Sequence, residues 1–374
     1  MPRLHFLQTG RICTERGIFM AEYKNDFLGM LSKIINEKVS EFTAAHPDAP
    51  IYSQADKDKM VEGAADIISK FVSVPGDKAS PDKSAKEKQS EAVSRDITPI
   101  IERVKKELPT RPCIKLTPSE CENIDIFESK VGGMPYFPKE FPYPKVLSGA
   151  YENRPLRFLA QLNFDRLPKL EGFPEKGMLQ FFCADDNDEC VYGMNYDEPF
   201  SQNGFRVIYH ENIITDREML CTPEDIPAPD PSGCFPVTGE FLLTPSEAMT
   251  CNADINDCRF EDKLFSYCSE ECGEKINTIY KLKKNGYDTE RLYENEYEKH
   301  NSRIGGYPVF TQSDPRNAEC IDCDTLLFQL DSFFERGSNS EIMWGDMGIA
   351  NFFISKNALA RCDFSKVMFN WDCG

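Results

Sequence analysis

The chain carries few of the groups that build standard catalytic or cofactor sites. It has no Gly-x-x-x-x-Gly-Lys-Ser/Thr loop, no Gly-x-Gly-x-x-Gly fingerprint, no Gly-x-Ser-x-Gly elbow and no His-Glu-x-x-His pair. Those motifs supply the phosphate-binding amides, the nucleophile or the metal ligands of common nucleotide-binding and hydrolytic enzymes. Only four histidines occur in 374 residues. The sequence therefore predicts no cofactor and gives no support to a standard hydrolase or nucleotide-dependent enzyme.

Long apolar segments and positive charge are also scarce. No stretch approaches the roughly 18 uncharged apolar residues of a membrane helix, and the N-terminus lacks the apolar run of a signal peptide. The 43 Lys and Arg residues against 62 Asp and Glu residues give a formal net charge of −19. A surface of that sign repels nucleic acid and favours a basic partner. We expect neither a membrane nor a nucleic acid as partner.

Glycosylation sequons are absent, and 15 cysteines are spread along the whole chain. A small secreted domain instead concentrates an even number of cysteines in a short disulfide framework. The sequence thus predicts a cytoplasmic protein whose thiols are mostly reduced.

The chain does have enough apolar surface for a packed core, with 40% hydrophobic residues and 27 Phe. Apolar residues at helical spacing from Met20 predict a helical appendage over 20–110, behind an unstructured leader at 1–19. Residues 75–92 are rich in Lys, Ser, Asp and Pro. So polar a segment cannot offset the entropy of ordering it, and we predict a flexible linker there. From about residue 111 the pattern changes to short β-rich runs divided by Pro and Gly.

Three motifs occur twice, in the same order, within the β-rich region. ESKVGGMPYF at 128–137 matches NSRIGGYPVF at 301–310, FLAQLN at 158–163 matches LLFQLD at 326–331, and GMLQFF at 177–182 matches GIANFF at 348–353. The offsets of 173, 168 and 171 residues are nearly constant, as an ancestral duplication predicts. We therefore divide the domain at 111–374 into two repeats, about 111–245 and 246–374.

Strand alternation predicts the faces of the first repeated strand. It puts Leu159, Gln161 and Asn163 on one face and Phe158, Ala160, Leu162 and Phe164 on the other. Both faces are largely apolar, which is typical of a sheet covered on both sides. The patterns also predict strands at Arg206–His210 and Gly239–Thr244, and a helix from Phe260 through Ile279 that ends at Asn285-Gly286. The predicted fold class is α+β, in which a duplicated β-rich unit forms mixed and antiparallel sheets with packed helices, after the N-terminal helical appendage.

Several longer motifs carry a family resemblance. GFPEKGMLQFF, QLDS, IMWGDMGIANFFIS and the ending DFSKVMFNWDCG closely resemble the bacterial YwqG-like family, a domain family of unknown function, over about 111–374. The resemblance implies a compact α+β fold built from a duplicated unit. It implies no established activity, cofactor or catalytic residue. Some members are similar to immunity or effector-neutralising proteins, which implies a binding role.

Polar side chains interrupt the apolar strands at positions that recur in both repeats. If the repeats face each other, these groups converge on an inter-repeat cleft, where one aromatic wall and a few polar atoms suit a small polar ligand or peptide. Alternatively, they hydrogen-bond one another and the sheet edges, and so fix the strand register. Apolar neighbours predict that the two carboxylates are shielded from water. The candidate residues are Gln161, Gln180, Gln329, Asp331, Trp344, Asp346 and Asn351.

Three weaker patterns each have a structural alternative. The paired glycines Gly132-Gly133 and Gly305-Gly306 suit either close approach of a ligand or a turn into a strand, and we favour the turn. The acidic run at 185–189 offers oxygen ligands but lacks the EF-hand spacing, so we expect a solvated hairpin tip.

A zinc site is the third weak pattern. Cys320 and Cys323 have knuckle spacing, and Cys268 with Cys272 would complete four thiolates. Cys268 and Cys272 also lie on the apolar face of the predicted helix, where buried cysteines pack as small hydrophobes. We therefore expect no metal.

Two functional hypotheses remain open. The first is a cytosolic, non-enzymatic binding or protein-interaction module for an unknown protein or small polar ligand. The second is an enzyme of unassigned class that uses Asp331 and Asp346 in the inter-repeat cleft, because carboxylates in apolar surroundings suit acid–base chemistry.

Overall fold

The computed structural model describes residues 95–185, 191–230, 233–293, 301–316 and 322–374. The chain divides into two units between Lys88 and Gln89, and every described residue belongs to the second unit. The predicted leader at 1–19, the flexible linker at 75–92 and the appendage helices before residue 95 lie outside the described residues.

A single large antiparallel sheet dominates the described unit. Its strand order is β14-β13-β10-β9-β1-β7-β2-β3-β4-β5, with β8 paired to β1, and a second small sheet has the order β11-β12-β6. The strands are β1 (Arg111–Glu120), β2 (Lys130–Gly132), β3 (Arg157–Asn163), β4 (Met178–Cys183), β5 (Phe205–His210), β6 (Val237–Thr238), β7 (Glu240–Pro245), β8 (Met249–Cys251), β9 (Ser302–Gly305), β10 (Thr325–Asp331), β11 (Phe333–Phe334), β12 (Glu341–Ile342), β13 (Ile349–Ile354) and β14 (Val367–Asp372). The predicted strands at Arg206–His210 and Gly239–Thr244 are confirmed as β5 and β7.

The helices in the described part of the chain are short. They are α1 (Thr98–Glu107), α2 (Cys258–Cys272), α3 (Ile279–Lys284) and α4 (Lys356–Ala360), with 3-10 turns at Arg217–Met219 and Thr289–Tyr293. Asp257 caps α2 by accepting the Arg259 main-chain N–H, and Gly273 ends it at a φ of 72°. The single helix predicted through Ile279 is therefore two helices, because the chain turns at a left-handed glycine that favours helix termination.

The predicted fold class is wrong. Within the described residues every paired strand is antiparallel, and the long sheet curls until it is nearly closed. It is not a mixed sheet covered by packed helices. The prediction failed because strands with two apolar faces were assigned a helical cover, whereas here the second half of the same sheet and the connecting loops cover them. The helices α1 and α2 form a separate small cluster, in which Ile101 and Val104 accompany Phe260 and Leu264.

The sheet consists of two matched halves on either side of the central pair β1 and β7. Strands β2-β3-β4-β5 follow one another on one side, and β9-β10-β13-β14 follow in the same order on the other. The two central strands are exchanged between the halves. β1 precedes β2 in the chain but pairs with β9, whereas β7 precedes β9 in the chain but pairs with β2. In register, Cys113 lies opposite Gly305 and Glu240 lies opposite Gly132. These positions are what a duplication would produce, and the duplication itself stays a prediction.

A β-bulge occurs at the same place in each half. The register shifts between Phe158 and Ala160 in β3 and between Leu326 and Phe328 in β10. The extra residue in each bulge reverses the alternation of the side chains. Leu159 therefore joins Ala160 and Leu162 in the main core, and not Gln161 as simple alternation predicts.

The main core lies between the inner faces of the two halves. Phe181 of β4 contacts Phe328 of β10 and Phe352 of β13, with ring centroids 4.9 and 4.7 Å apart. Burying one such side chain contributes roughly 1.5 to 3 kcal/mol. The space between the halves is therefore occupied by aromatic side chains. In the part of the chain that the structure describes, no helix combines the length and apolar character needed to cross a membrane.

Candidate functional site

Two amides of the first half hold the main chain of one turn residue. The Tyr136 N–H donates to Gln161 Oε1 at 2.9 Å, and Gln180 Nε2 donates to the Tyr136 carbonyl at 2.5 Å. Gln161 Nε2 also donates to the carbonyls of Ile126 and Glu128, each at 2.8 Å. We call this arrangement an amide clamp. It fixes the chain that follows the Gly132-Gly133 turn.

The second half has the same clamp around Val309. The Val309 N–H donates to Gln329 Oε1 at 2.8 Å, and Asn351 Nδ2 donates to the Val309 carbonyl at 2.9 Å. Gln329 Nε2 donates to the carbonyl of Asn301 at 2.7 Å. The four predicted amides thus form two pairs, and each pair bonds main chain of its own half. This geometry gives the amides a bracing role, and their ligand-binding role stays a prediction.

The other three predicted residues lie in different surroundings. Asp331 is buried, with 9% of its surface exposed, and Trp344 is fully buried against Tyr192 with ring centroids 5.4 Å apart. Asp346 is exposed in the turn between β12 and β13. The expectation that Asp346 is shielded from water is wrong, because Gly345 and Met347 both adopt positive φ and turn this segment outwards.

The predicted zinc cysteines belong to separate clusters. Cys268 packs with Phe260 and Leu264 beside the sheet, whereas Cys323 packs with Phe310 and Phe353. Cys272 Sγ donates to the Tyr287 hydroxyl at 3.3 Å, and Cys320 lies outside the described residues. Among the residues that are described, no group of three or more His, Cys, Asp or Glu side chains is placed to hold a metal ion.

The paired glycines are required by close approach of neighbouring strands. A Cβ on Gly132 would lie 2.4 Å from the Gly239 carbonyl oxygen, and one on Gly305 would lie 2.5 Å from the Pro112 carbonyl oxygen. All four glycines have φ between 68° and 74°. A side chain at any of these positions is strained by its backbone conformation. The structure supports the turn interpretation.

A buried cation lies beside each glycine turn. In the first half, Lys130 Nζ donates to Glu240 Oε1 at 2.7 Å and to the Ile124 carbonyl at 3.1 Å. Burial lowers the pKa of Lys130, although Glu240 favours its charged form. In the second half the matched residue is Arg303, which is 6% exposed. The groups that favour its charge are Cys251, Cys113, Asp254 and Asp331.

A cavity of about 440 Å³ opens at the start of β3 in the first half. Its walls include Pro135, Phe158 and Phe235 as well as charged side chains. The Arg157 guanidinium lines it and stacks over the Phe235 ring at 4.3 Å from the centroid. Burial lowers the pKa of Arg157, and nearby Asp185 partly compensates. This is a cation stacked on an aromatic ring in a cavity of ligand size.

Two carboxylates and a second arginine form one wall of this cavity. Arg154 Nε lies 3.2 Å from Asp185 Oδ1, and Arg154 Nη2 lies 2.9 Å from Asp230 Oδ2. Asp185 begins the acidic run that we predicted to be a solvated hairpin tip. Its surface is only 3% exposed, so that prediction is wrong for Asp185, and the rest of the run lies outside the described residues.

This cavity was not predicted from the sequence. Arg157 and Arg154 stand in NRPLRFLAQ as two ordinary charged residues before a buried strand. The Phe235 ring that stacks on Arg157 comes from a distant loop. The one available signal was an arginine at the first position of a strand that is buried on both faces, since buried charges need a specific environment.

The described unit is thus an antiparallel β-sheet domain of two matched halves, each braced by an amide clamp. Residues 129–373 match the family described as Domain of unknown function (DUF1963). The chain belongs to that family. The comparison with curated proteins gave no match.

Proposed function

We propose that this protein is a binding module that takes a small organic carboxylate into the cavity at the start of β3. The observation that carries the proposal is the Arg157 guanidinium, half-buried in this cavity and stacked on Phe235. Within the described part of the chain, the Arg157 guanidinium makes no hydrogen bond. Its planar donors are therefore available to a ligand.

A carboxylate fits this cavity better than other anions. A guanidinium binds a carboxylate through two parallel hydrogen bonds. Asp185 and Asp230 lie in the same cavity, and they repel a dianion such as phosphate more strongly than a monoanion. The apolar side chains in its walls, which include Pro135, Phe158 and Phe235, favour a ligand with an apolar body.

The test is a titration of the full chain with phenylpropionate, followed by calorimetry and by thermal shift. We expect binding to the parent protein and at least a tenfold weaker affinity for Arg157→Gln. Arg157→Lys keeps the charge but loses the two parallel donors, so it should bind with intermediate affinity. The matched control is Arg361→Gln, which removes the same charge from an exposed side chain.

Two results contradict the proposal. One is equal affinity of Arg157→Gln and the parent protein for phenylpropionate. The other is stronger binding of inorganic phosphate than of phenylpropionate, which would show that the cavity selects anions by charge alone.

Finer assignments belong to the same proposal. The motifs GFPEKGMLQFF and IMWGDMGIANFFIS support YwqG-like membership and a bacterial origin, and the net charge of −19 supports a basic protein partner on the outer surface. The absence of sequons supports a cytoplasmic location. An immunity or effector-neutralising role stays a prediction. The enzyme hypothesis also stays a prediction, although Asp331 is buried and Asp346 is exposed.

A further inference from the structure

Two cysteines of neighbouring strands contact each other behind the second glycine turn. Cys113 lies in β1 and Cys251 in β8, one diagonal step apart in the antiparallel register. A Cβ placed on Gly306 would lie 2.7 Å from Cys251 Sγ and 3.6 Å from Cys113 Sγ. Only a glycine leaves room for both sulfur atoms at this turn. The Cys251 thiol also donates to the Arg111 carbonyl at 3.5 Å.

The surroundings of the pair stabilise one negative charge. The Cys113 thiol, the Tyr307 main chain and Arg303 favour the charged form of Cys251, whereas burial and Asp254 act in the opposite direction. Together they lower the pKa of Cys251 to about 6. Cys113 keeps its proton, since its interaction with Cys251 and its burial both raise its pKa.

The matched half shows why a charge is expected here. There the cation Lys130 pairs with Glu240, and the register position of Glu240 corresponds to that of Cys113. The second half keeps the cation as Arg303 and puts the thiol pair where the first half has its carboxylate. A thiolate on the pair supplies part of the same charge balance.

Only one of the two thiols is accessible. Cys251 lines a cavity of about 340 Å³, together with Arg303, Tyr307 and the cations Lys105 and Arg291. Cys113 is 2% exposed and does not line that cavity. A small reagent in the cavity therefore reaches the Cys251 sulfur first, and Cys113 lies directly behind it.

We propose that Cys251 is a site of oxidation by hydroperoxides and that Cys113 resolves the product as a disulfide. The Cys251 thiolate attacks one oxygen of hydrogen peroxide, the O–O bond breaks, and hydroxide leaves and becomes water by taking up a proton. Cys251 is then a sulfenic acid. The Cys113 sulfur attacks the Cys251 sulfur, the S–O bond breaks, and a second water leaves with the Cys113 proton.

The strand that carries Cys251 allows the sulfur atoms to approach bonding distance, which is about 2 Å in a disulfide. β8 has three residues and, among the described strands, pairs only with β1. Met249 and Thr250 in the same strand are exposed. A short edge strand with so little burial shifts at small cost in packing.

The test is treatment of the full chain with hydrogen peroxide at pH 6, followed by alkylation of the remaining thiols and peptide mass spectrometry without reductant. We expect a Cys113–Cys251 linked peptide. Cys251 should be consumed on the order of tenfold faster than the exposed Cys121, because its larger thiolate fraction outweighs its weaker nucleophilicity. Cys268 is the buried control thiol.

Two variants separate the steps. Cys113→Ser should give a Cys251 sulfenic acid that dimedone traps, with no linked peptide. Arg303→Lys, which keeps the charge and the fold, should retain the faster consumption of Cys251. The proposal is wrong if Cys121 reacts as fast as Cys251 in the parent protein, or if peroxide links Cys251 to a cysteine other than Cys113.

Discussion

The two halves of the sheet differ in what faces their buried cation. In the first half Lys130 donates to the Glu240 carboxylate at 2.7 Å. In the second half Arg303 faces the Cys113 and Cys251 thiols together with Asp254 and Asp331. The amide clamps around Tyr136 and Val309 are nevertheless the same. Side chains that bond the main chain are thus alike in the two halves, whereas those that balance the charge of the cation differ.

The largest expected effect is the loss of the buried cation in the first half. Lys130→Met leaves the Glu240 carboxylate without its partner, and breaking such a pair from one side costs about 3 to 5 kcal/mol. Urea unfolding monitored by circular dichroism measures the loss. Lys130→Arg, which places the residue of the second half at the matched position, should lose much less stability. Equal losses for both variants would show that packing, and not charge, holds this position.

The amide clamps should have equal weight in the two halves. Gln161→Leu and Gln329→Leu each leave a buried main-chain N–H without an acceptor, which costs roughly 1 to 3 kcal/mol. Chemical unfolding of the two variants should give similar free energies. Gln312→Leu, which replaces an exposed amide, serves as control. A large loss at one clamp and none at the other would break the match between the halves.

The pH dependence of stability should differ between the titratable residues at the ends of β5 and β14. His210 of β5 lies opposite Met178 of β4, and Asp372 of β14 lies at the matched position, opposite Ile349 of β13. Burial lowers the pKa of His210 to about 4, and His210 Nε2 lies 3.1 Å from Gln180 Oε1. Because the unfolded chain binds this proton near pH 6.5, stability should fall by roughly 1 to 3 kcal/mol between pH 6.5 and 4.

The control for that titration is His210→Gln, measured by urea unfolding at each pH. It should flatten the loss of stability between pH 6.5 and 4. Burial raises the pKa of Asp372, so Asp372 contributes the opposite slope in parent and variant alike. Parallel curves for parent and variant would contradict the burial of His210.

The smallest effect is expected at Asp346. Its side chain is exposed in a turn, and surface replacements of this kind usually change stability by less than about 0.5 kcal/mol. The thermal melt of Asp346→Ala should overlay that of the parent protein. A clear drop in the melting temperature would restore the earlier expectation of a shielded carboxylate.

The repeated motifs predicted the matched strands and the paired amides, because a polar group in an apolar strand must find a hydrogen-bond partner. They did not predict which face each residue takes, since the bulges at Leu159 and Leu327 shift the alternation without a sequence signature. The cavities were also missed. Arg157 meets Phe235 and Cys113 meets Cys251 only after distant segments of the chain are brought together.

The first half balances its buried cation with a carboxylate, and the second half does so in part with a thiolate. The pH dependence of Cys251 alkylation tests this difference most directly. The full chain is treated with iodoacetamide from pH 4 to 9, and the rate at Cys251 is followed by peptide mass spectrometry, with the exposed Cys121 as reference. A thiolate stabilised by Cys113, the Tyr307 main chain and Arg303 predicts a half-maximal rate near pH 6 at Cys251. A midpoint near 8.5, the ordinary value for a thiol, would contradict the assignment of a negative charge to the thiol pair.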